Sequence, residues 1–494
     1  MSGNSTAWLV LYSWPLFAIV FYRLWTPQVA TAATLICGYL FLPYGIGVDP
    51  PALPQLDRDF IASCSALVLT WIVLRNPRNA AGALPGWLPR ETPVRLLIAL
   101  LVLGAFGTAL TNMDSVQNGG IRLPGMRLYD GFSVALSVMT PLIPLLLARK
   151  LMATAEGHRT LAVFLVGAGV AYAFLALYEV RMSPQLNARI YGFFPHSWLQ
   201  HIRNGGFRPI IFLEHGLFVG IFLASATIVA FGLALTEPTK NRAKFAAAGA
   251  LLLITIFFSK VLGAFVITLT ILMLLYFSPR RIQVLAAMSL SAIVLTYPML
   301  RSIDVVPTNA AVSLARQVSA ERAESLAFRV RNENVLLERA RERPLFGWGG
   351  YGRNRVYNDA GTDISTTDGR WLILFGQGGW IRYLGEFGLL LWGVFRLGSL
   401  PRDKLDPITV VLILALVANL IDLIPNAGLS PITWLLTGEG DGTTPPAEMG
   451  APDPDMSVFL AELREIRAAM RANAERAAQL EKRMRKALLS ETPS

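Results

Sequence analysis

The sequence predicts an all-α fold, a polytopic integral membrane protein. About twelve or thirteen transmembrane helices carry one large external loop and a cytoplasmic helical tail. Three observations lead there. Hydrophobic residues make up 53% of the chain and charged residues only 16%, with mean hydropathy +0.48, which is unlike a soluble domain. Apolar stretches recur near the roughly 17–25 residues needed to cross a hydrocarbon core about 30 Å thick. The loops joining them alternate between basic and basic-poor, the pattern that sets orientation in a bilayer.

Twelve stretches qualify, at 7–24, 28–47, 59–75, 94–112, 130–149, 160–180, 209–235, 243–259, 261–278, 281–300, 371–397 and 407–424. A shorter thirteenth lies at 426–438. No charged segment with a small-residue cleavage site precedes the first, so it reads as a retained span. Arg75, Arg78 and Arg90 follow the third stretch, and Arg149, Lys150 and Arg159 the fifth. Lys240, Arg242 and Lys244 follow the seventh, Arg280 and Arg281 the ninth, and Arg396, Arg402 and Lys404 the eleventh. If each stretch crosses once, all five loops share one side, the cytoplasm. The external loops are then 48–58, 113–129, 181–208 and 301–370, and the N-terminus is external.

The net charge of +11 comes from those loops and the tail. No basic face interleaved with aromatics and no zinc-finger spacing accompanies it, which argues against nucleic acid. Cys37 and Cys64 lie far apart in apolar surroundings and suggest neither a disulfide framework nor a metal site. Residues 438–456 are a linker rich in Gly, Pro and acid. In the C-terminal helix over 457–490, Phe459, Leu463, Ile466, Met470, Asn473, Ala477, Leu480, Met484 and Ala487 form a heptad seam. A coiled coil and an arginine-rich helix lying on anionic lipid both fit that pattern. Either suits assembly, by self-association or with a chain-length regulator.

Candidate chemistry collects on the external side. Arg203 and Arg208 stand at the mouth of the seventh stretch, with Glu214 and His215 in its first two turns. Ionisable groups inside a span are functional candidates, while snorkelling is the plainer account of the two arginines and of Lys260. In the large loop an amphipathic helix is expected over 310–341, interleaving Val312, Leu326, Val330 and Leu337 with a polar side that carries Arg329. Many of its charges form i,i+3 or i,i+4 pairs worth only a few tenths of a kcal/mol. Arginine also binds phosphate bidentately and stays charged, so an external pocket with several of them suits a lipid diphosphate. The glycine turn at 347–352 lacks the Gly-Lys-Ser/Thr of a nucleotide-binding loop. Asp368, just ahead of Gly369-Arg370-Trp371, fits a helix cap or a base.

Three stretches resemble the O-antigen ligase and polymerase superfamily of bacterial surface-glycan assembly. Arg203-Asn-Gly-Gly-Phe207 looks like a compressed form of its first external motif. Arg329 followed by Pro344-Leu-Phe-Gly347-Trp-Gly349 is similar to its second. Phe375-Gly-Gln-Gly-Gly-Trp-Ile-Arg-Tyr-Leu-Gly-Glu-Phe-Gly-Leu-Leu390 resembles its glycine-rich third. The likeness covers 1–437, the membrane core. The family's ligases place a histidine ahead of the third motif, and here Ser365–Trp371 contains none, which favours a polymerase.

The resemblance implies a metal-independent glycosyltransferase of the inner membrane, facing the periplasm and needing no cofactor. It would join repeat units carried on undecaprenyl diphosphate. Arg203, Arg208 and Arg329 would stabilise the departing diphosphate, and His215 or Asp368 would be the base. Glu214, Lys260, Arg343 and Arg370 would bind substrate alongside the arginines. A ligase and a non-enzymatic lipid or glycan transporter are the alternatives.

Overall fold

The computed structural model describes residues 3–438, without 51, 52, 81, 204, 402 and 403 and without the side chains of 318, 321 and 322. The heptad tail and all of the linker except Gly438 lie outside the described residues. The chain is 71% helical, with two short antiparallel hairpins, β1 (Val116–Asn118) with β2 (Ile121–Leu123) and β3 (Ile202–Arg203) with β4 (Gly206–Phe207).

Among the described residues, seven helices are long and apolar enough to cross a membrane: α1 (Ser5–Leu24), α4 (Thr92–Thr111), α5 (Leu128–Met152), α6 (Ala155–Met182), α7 (Gly216–Thr236), α8 (Thr239–Phe258) and α10 (Arg280–Ser302). Three shorter apolar helices are α2 (Pro27–Phe41), α9 (Leu262–Phe277) and α14 (Pro407–Asp422). The other helices of eight or more residues are α3 (Arg58–Val73), α11 (Thr308–Val318), α12 (Ala320–Arg341), α13 (Arg370–Gly398) and α15 (Pro431–Gly438). Helix α7 is apolar all round and is the centre of the bundle, packed by α6, α8, α9 and α14. Small residues permit close approach, as where Gly232 meets Val411 and Gly220 meets Val261.

Three expected elements differ from the sequence reading. The seventh stretch does not become helical at 209. Residues 209–215 form a turn with Ile211 at φ 56°, and the helix starts at Gly216 with the His215 side chain as its N-cap. Glu214 and His215 therefore precede the helix and do not sit inside its first turns. The amphipathic segment over 310–341 is two helices, separated where Ser319 is extended at φ −163°. The eleventh stretch is likewise two helices, 370–378 and 380–398, because Gly379 has φ 63° and ψ −163°. In a straight helix sixteen residues span about 24 Å, yet Arg370 Nε donates to Glu386 Oε1 at 2.8 Å, so the chain doubles back at Gly379.

That fold-back exposes backbone groups which a membrane segment must satisfy internally. The turn 344–349 does so. Trp348 and Gly349 donate their N–H groups to the carbonyls of Gly376 and Gln377, at 2.8 and 2.9 Å. In return Trp380 and Ile381 donate to the carbonyls of Pro344 and Leu345, at 2.8 and 3.2 Å. A Cβ on Gly379 would strike the Leu345 carbonyl, and one on Gly347 the Gln377 backbone. The second and third glycine motifs are two halves of one clasp.

Contacts between loops sort them into two sets. Arg149 pairs with Glu91, Arg159 with Glu237, and Arg281 donates to the carbonyls of Gly398 and Leu400. In the other set, Lys260 meets Arg203, Arg301 meets Glu333, Arg343 meets Asp114, and Asn4 N–H donates to Tyr191 O.

Candidate active site

The loop from α6 to α7 is pinned by one carboxylate. Glu179, fully buried in the last turns of α6, accepts N–H groups from Leu186, Ile210 and Ile211, each at 2.8 Å. It thereby holds both ends of the loop and the left-handed backbone at Ile211, a conformation costly for a β-branched residue. Arg58, buried from α3, adds a donor to Phe212 O at 3.3 Å. Lys260, itself at φ 57° between α8 and α9, braces the β3–β4 hairpin. Its Nζ donates to Arg203 O at 2.8 Å, and its carbonyl accepts from Arg208 Nη2 at 3.3 Å.

Three of the chain's four histidines gather here. Ring centroids are 4.8 Å apart for His201 and His215, 5.1 Å for His196 and His215, and 6.1 Å for His196 and His201. Their hydrogen bonds define the tautomers. His215 Nδ1 accepts from Leu217 N–H at 3.1 Å, so its proton resides on Nε2 and the ring is a donor toward the site. His201 Nδ1 donates to Ser197 O at 3.0 Å, which leaves Nε2 bare, buried and without a hydrogen-bond partner. Burial, then the neighbouring rings and arginines, pushes His201 down to about 4 and His215 down to about 3. Both rings are neutral at ordinary pH. Among the described residues no group of three or more His, Cys, Asp or Glu side chains is arranged to hold a metal ion.

Arg208 is in a cationic environment. Burial first, then Arg203 and Arg329, lowers its guanidinium to about 10. Its Nε is buried with no hydrogen-bond partner, and no carboxylate among the described residues forms an ion pair with it. Glu214 faces Tyr44 instead, whose phenol is pushed upward by burial and then by Glu214.

Arg329 comes from α12, in the large loop. Its Nη1 donates to Pro425 O at 3.1 Å and Asn426 Oδ1 at 3.4 Å, and its Nε is 3.8 Å from Asp368 Oδ2. Burial raises the Asp368 carboxyl and Arg329 partly offsets that. Arg329 and Asp368 also line a cavity of about 300 Å³ with Tyr297, Leu326, Val330 and Leu372. Arg329 thus joins two regions, since its charge acts on both Arg208 and His215.

Of the residues singled out in the sequence, Arg203, Arg208, His215, Arg329 and Asp368 come together. Lys260 is a brace. Arg343 is held by Asn112 Oδ1 at 3.0 Å and Asp114 Oδ2 at 2.9 Å and lies over the Trp348 ring. Arg370 is held by Glu386. Arg343 and Arg370 thus both have carboxylate partners that brace the clasp. His196, His201 and Glu179 were missed. Glu179 had a usable signal, an acidic residue inside an apolar stretch, whereas the two histidines lie in loop sequence with nothing to mark them. No protein family and no curated protein matches this sequence.

Proposed function

We propose that this protein is a membrane glycosyltransferase that polymerises oligosaccharide repeats carried on undecaprenyl diphosphate, at the periplasmic face of a bacterial inner membrane. The observation that carries this reading is the convergence of Arg203, Arg208 and Arg329, from two separate loops, with no carboxylate among the described residues paired to Arg208. Such an arrangement holds a positive potential suited to a polyanion. Breaking the bond between sugar and diphosphate places charge on the departing group, and fixed donors there stabilise it without a metal. The three guanidiniums and His215 Nε2–H are those donors. The acceptor hydroxyl attacks the anomeric carbon, its proton passes to a carboxylate oxygen of Asp368, and the electrons of the broken C–O bond leave with the diphosphate. Burial makes Asp368 more basic than an ordinary carboxylate, and the Arg329 guanidinium partly offsets that. The hydrogen bond to Leu217 occupies the His215 lone pair, which favours Asp368 as base.

The proposed orientation puts the basic loops in the cytoplasm and the site outside, with the N-terminus external through its bond to Tyr191. Gly438, at the end of α15, packs beside Ala148 and Arg149, which supports a thirteenth crossing and a cytoplasmic start for the tail. There the heptad helix would serve self-association or a chain-length regulator.

The test is the lipid-linked glycan pool, read by mass spectrometry in cells lacking the gene and complemented by wild type or Arg329→Ala. Single repeats accumulating on the carrier, relieved by wild type alone, are the expected result. Long glycans left on the carrier would indicate transfer of finished chains, and an unchanged pool would sink both enzyme readings in favour of transport.

A further inference from the structure

The Arg329 guanidinium is held by a chain of contacts that begins at the end of α14. Asp422, the last residue of that helix, is buried, and its Oδ1 accepts from Asn426 Nδ2 at 2.9 Å. A side-chain amide carries one acceptor oxygen and one donor nitrogen. The carboxylate that takes the nitrogen therefore turns the oxygen toward Arg329, where Asn426 Oδ1 accepts from Nη1 at 3.4 Å. Pro425 O accepts from the same Nη1 at 3.1 Å. The Asn426 backbone carbonyl accepts from Arg370 N–H at 3.0 Å, so the segment after α14 is tied to the start of α13.

Asp368 has an anchor of its own. Asn332 lies one turn beyond Arg329 on α12, and its Oδ1 accepts from Thr366 N–H at 2.9 Å, just ahead of Asp368. The two anchors leave a gap. Arg329 Nε stays 3.8 Å from Asp368 Oδ2, beyond hydrogen-bond distance, whereas Arg355 meets Asp363 and Arg370 meets Glu386 at 2.6 Å. With Nη1 taken by two oxygens, Arg329 Nη2 donates to nothing among the described residues. The other charges around Asp368 are already engaged. Glu333 of α12 accepts from Arg301 and from the Tyr297 hydroxyl of α10, and Arg370 of α13 is held by Glu386. Arg329 is the charge whose position sets the field at Asp368.

We propose that Asp422 and Asn426 are positioning residues that hold Arg329 back from Asp368, keeping Nη2 available to the diphosphate and the carboxylate available to the acceptor proton. This rests on the proposed roles of Arg329 and Asp368. Both residues act through Arg329, and neither meets the reacting atoms. Without the tether, Arg329 closes on Asp368 into an ordinary ion pair. That pair stabilises the ionised carboxyl, which becomes a weaker base, and it removes a fixed donor from the departing diphosphate.

The test uses the full-length protein in nanodiscs with purified lipid-linked repeats. Turnover against pH and affinity for inorganic pyrophosphate are measured for wild type, Asn426→Ala, Asp422→Ala, Asp422→Asn and Arg329→Ala. In the alanine variants at 426 and 422, kcat should fall by about 10²-fold, the usual loss for a displaced group. The acid-side fall of the pH profile should move to lower pH in both, and pyrophosphate affinity should drop by about tenfold. Asp422→Asn keeps an oxygen for the Asn426 amide and should recover at least about tenfold of the lost turnover. Melting temperature identifies a variant that does not fold. The other alanine variant, which breaks the same chain at a different bond, then carries the test. Lost turnover with an unmoved acid limb is a structural defect and overturns the tether. Wild-type behaviour in both alanine variants, with Arg329→Ala inactive, overturns the tether alone. If Arg329→Ala polymerises and binds pyrophosphate like wild type, or wild type does neither, the role of Arg329 falls and the tether with it.

Discussion

Arg370 opens an apolar helix and Arg208 precedes one by a single turn segment, yet they have different surroundings. Arg370 donates to Glu386 through two nitrogens, at 2.8 and 2.6 Å, across the fold-back at Gly379. Among the described residues Arg208 reaches only a backbone carbonyl, at 3.3 Å, and burial, then two other arginines, lowers its guanidinium to about 10. A buried pair is a structural device, and breaking it leaves a stranded charge. A half-buried cation kept near other cations is destabilising unless something else needs that field. Partner supply, and not the presence of arginine, separates the site from the scaffold.

The sharpest way to break this comparison is to remove each arginine in turn. Arg208→Ala should lower polymer formation by about 10²–10³-fold, the usual loss for one donor to a developing anion, with the melting temperature unchanged or raised. A normal turnover in that variant would end the catalytic reading of Arg208. Asp368→Asn should reduce turnover by about 10²–10⁴-fold with donor affinity retained, measured with purified lipid-linked repeats.

Arg370→Ala should instead lose about 3–5 kcal/mol of stability, read as a fall in melting temperature in detergent. Arg370→Ala combined with Glu386→Leu should recover much of it. If the double variant is no better than the single one, the pair is not what holds the fold-back.

Gly379→Ala tests the clasp from the backbone side. The left-handed conformation and the Leu345 carbonyl both oppose a Cβ there, and such strain costs of order 1–3 kcal/mol. Gly350→Ala is the control, since a Cβ there meets nothing within 4 Å.

The smallest effect concerns pH. His201 and His215 titrate lower in the folded protein than in the unfolded chain, which takes up more protons below about 6.5. The stability associated with their neutral forms is complete above about pH 6.5 and is lost progressively as pH falls through about 4 and 3. Melting curves between pH 8 and 4 should therefore decline on the acid side, and less steeply in His201→Asn. A decline of unchanged slope would assign the effect to other groups.

Much of this was legible before any coordinates. Apolar length and composition pointed to membrane-length helices. Arg203, Arg208 and Arg329 were visible as isolated cations at helix mouths or in the large loop. Less legible was what surrounds them. Gly378-Gly379 reads as the opening of a helix, because a break there depends on Pro344 and Leu345 arriving to accept the freed N–H groups. Arg343 and Arg370 look like Arg208 in sequence, and only the fold shows that Asp114 and Glu386, from 229 and 16 residues away, supply them with carboxylate partners.

By itself, the sequence determined that this chain forms apolar helices long enough for a bilayer, since hydrophobic length and composition act locally and need no partner. Tertiary structure decided which charges were satisfied. Pairing depends on distances of about 3 Å between residues remote in the chain, and those distances arise only when α6 holds the 183–215 loop through Glu179 and the glycine clasp folds α13 back on itself.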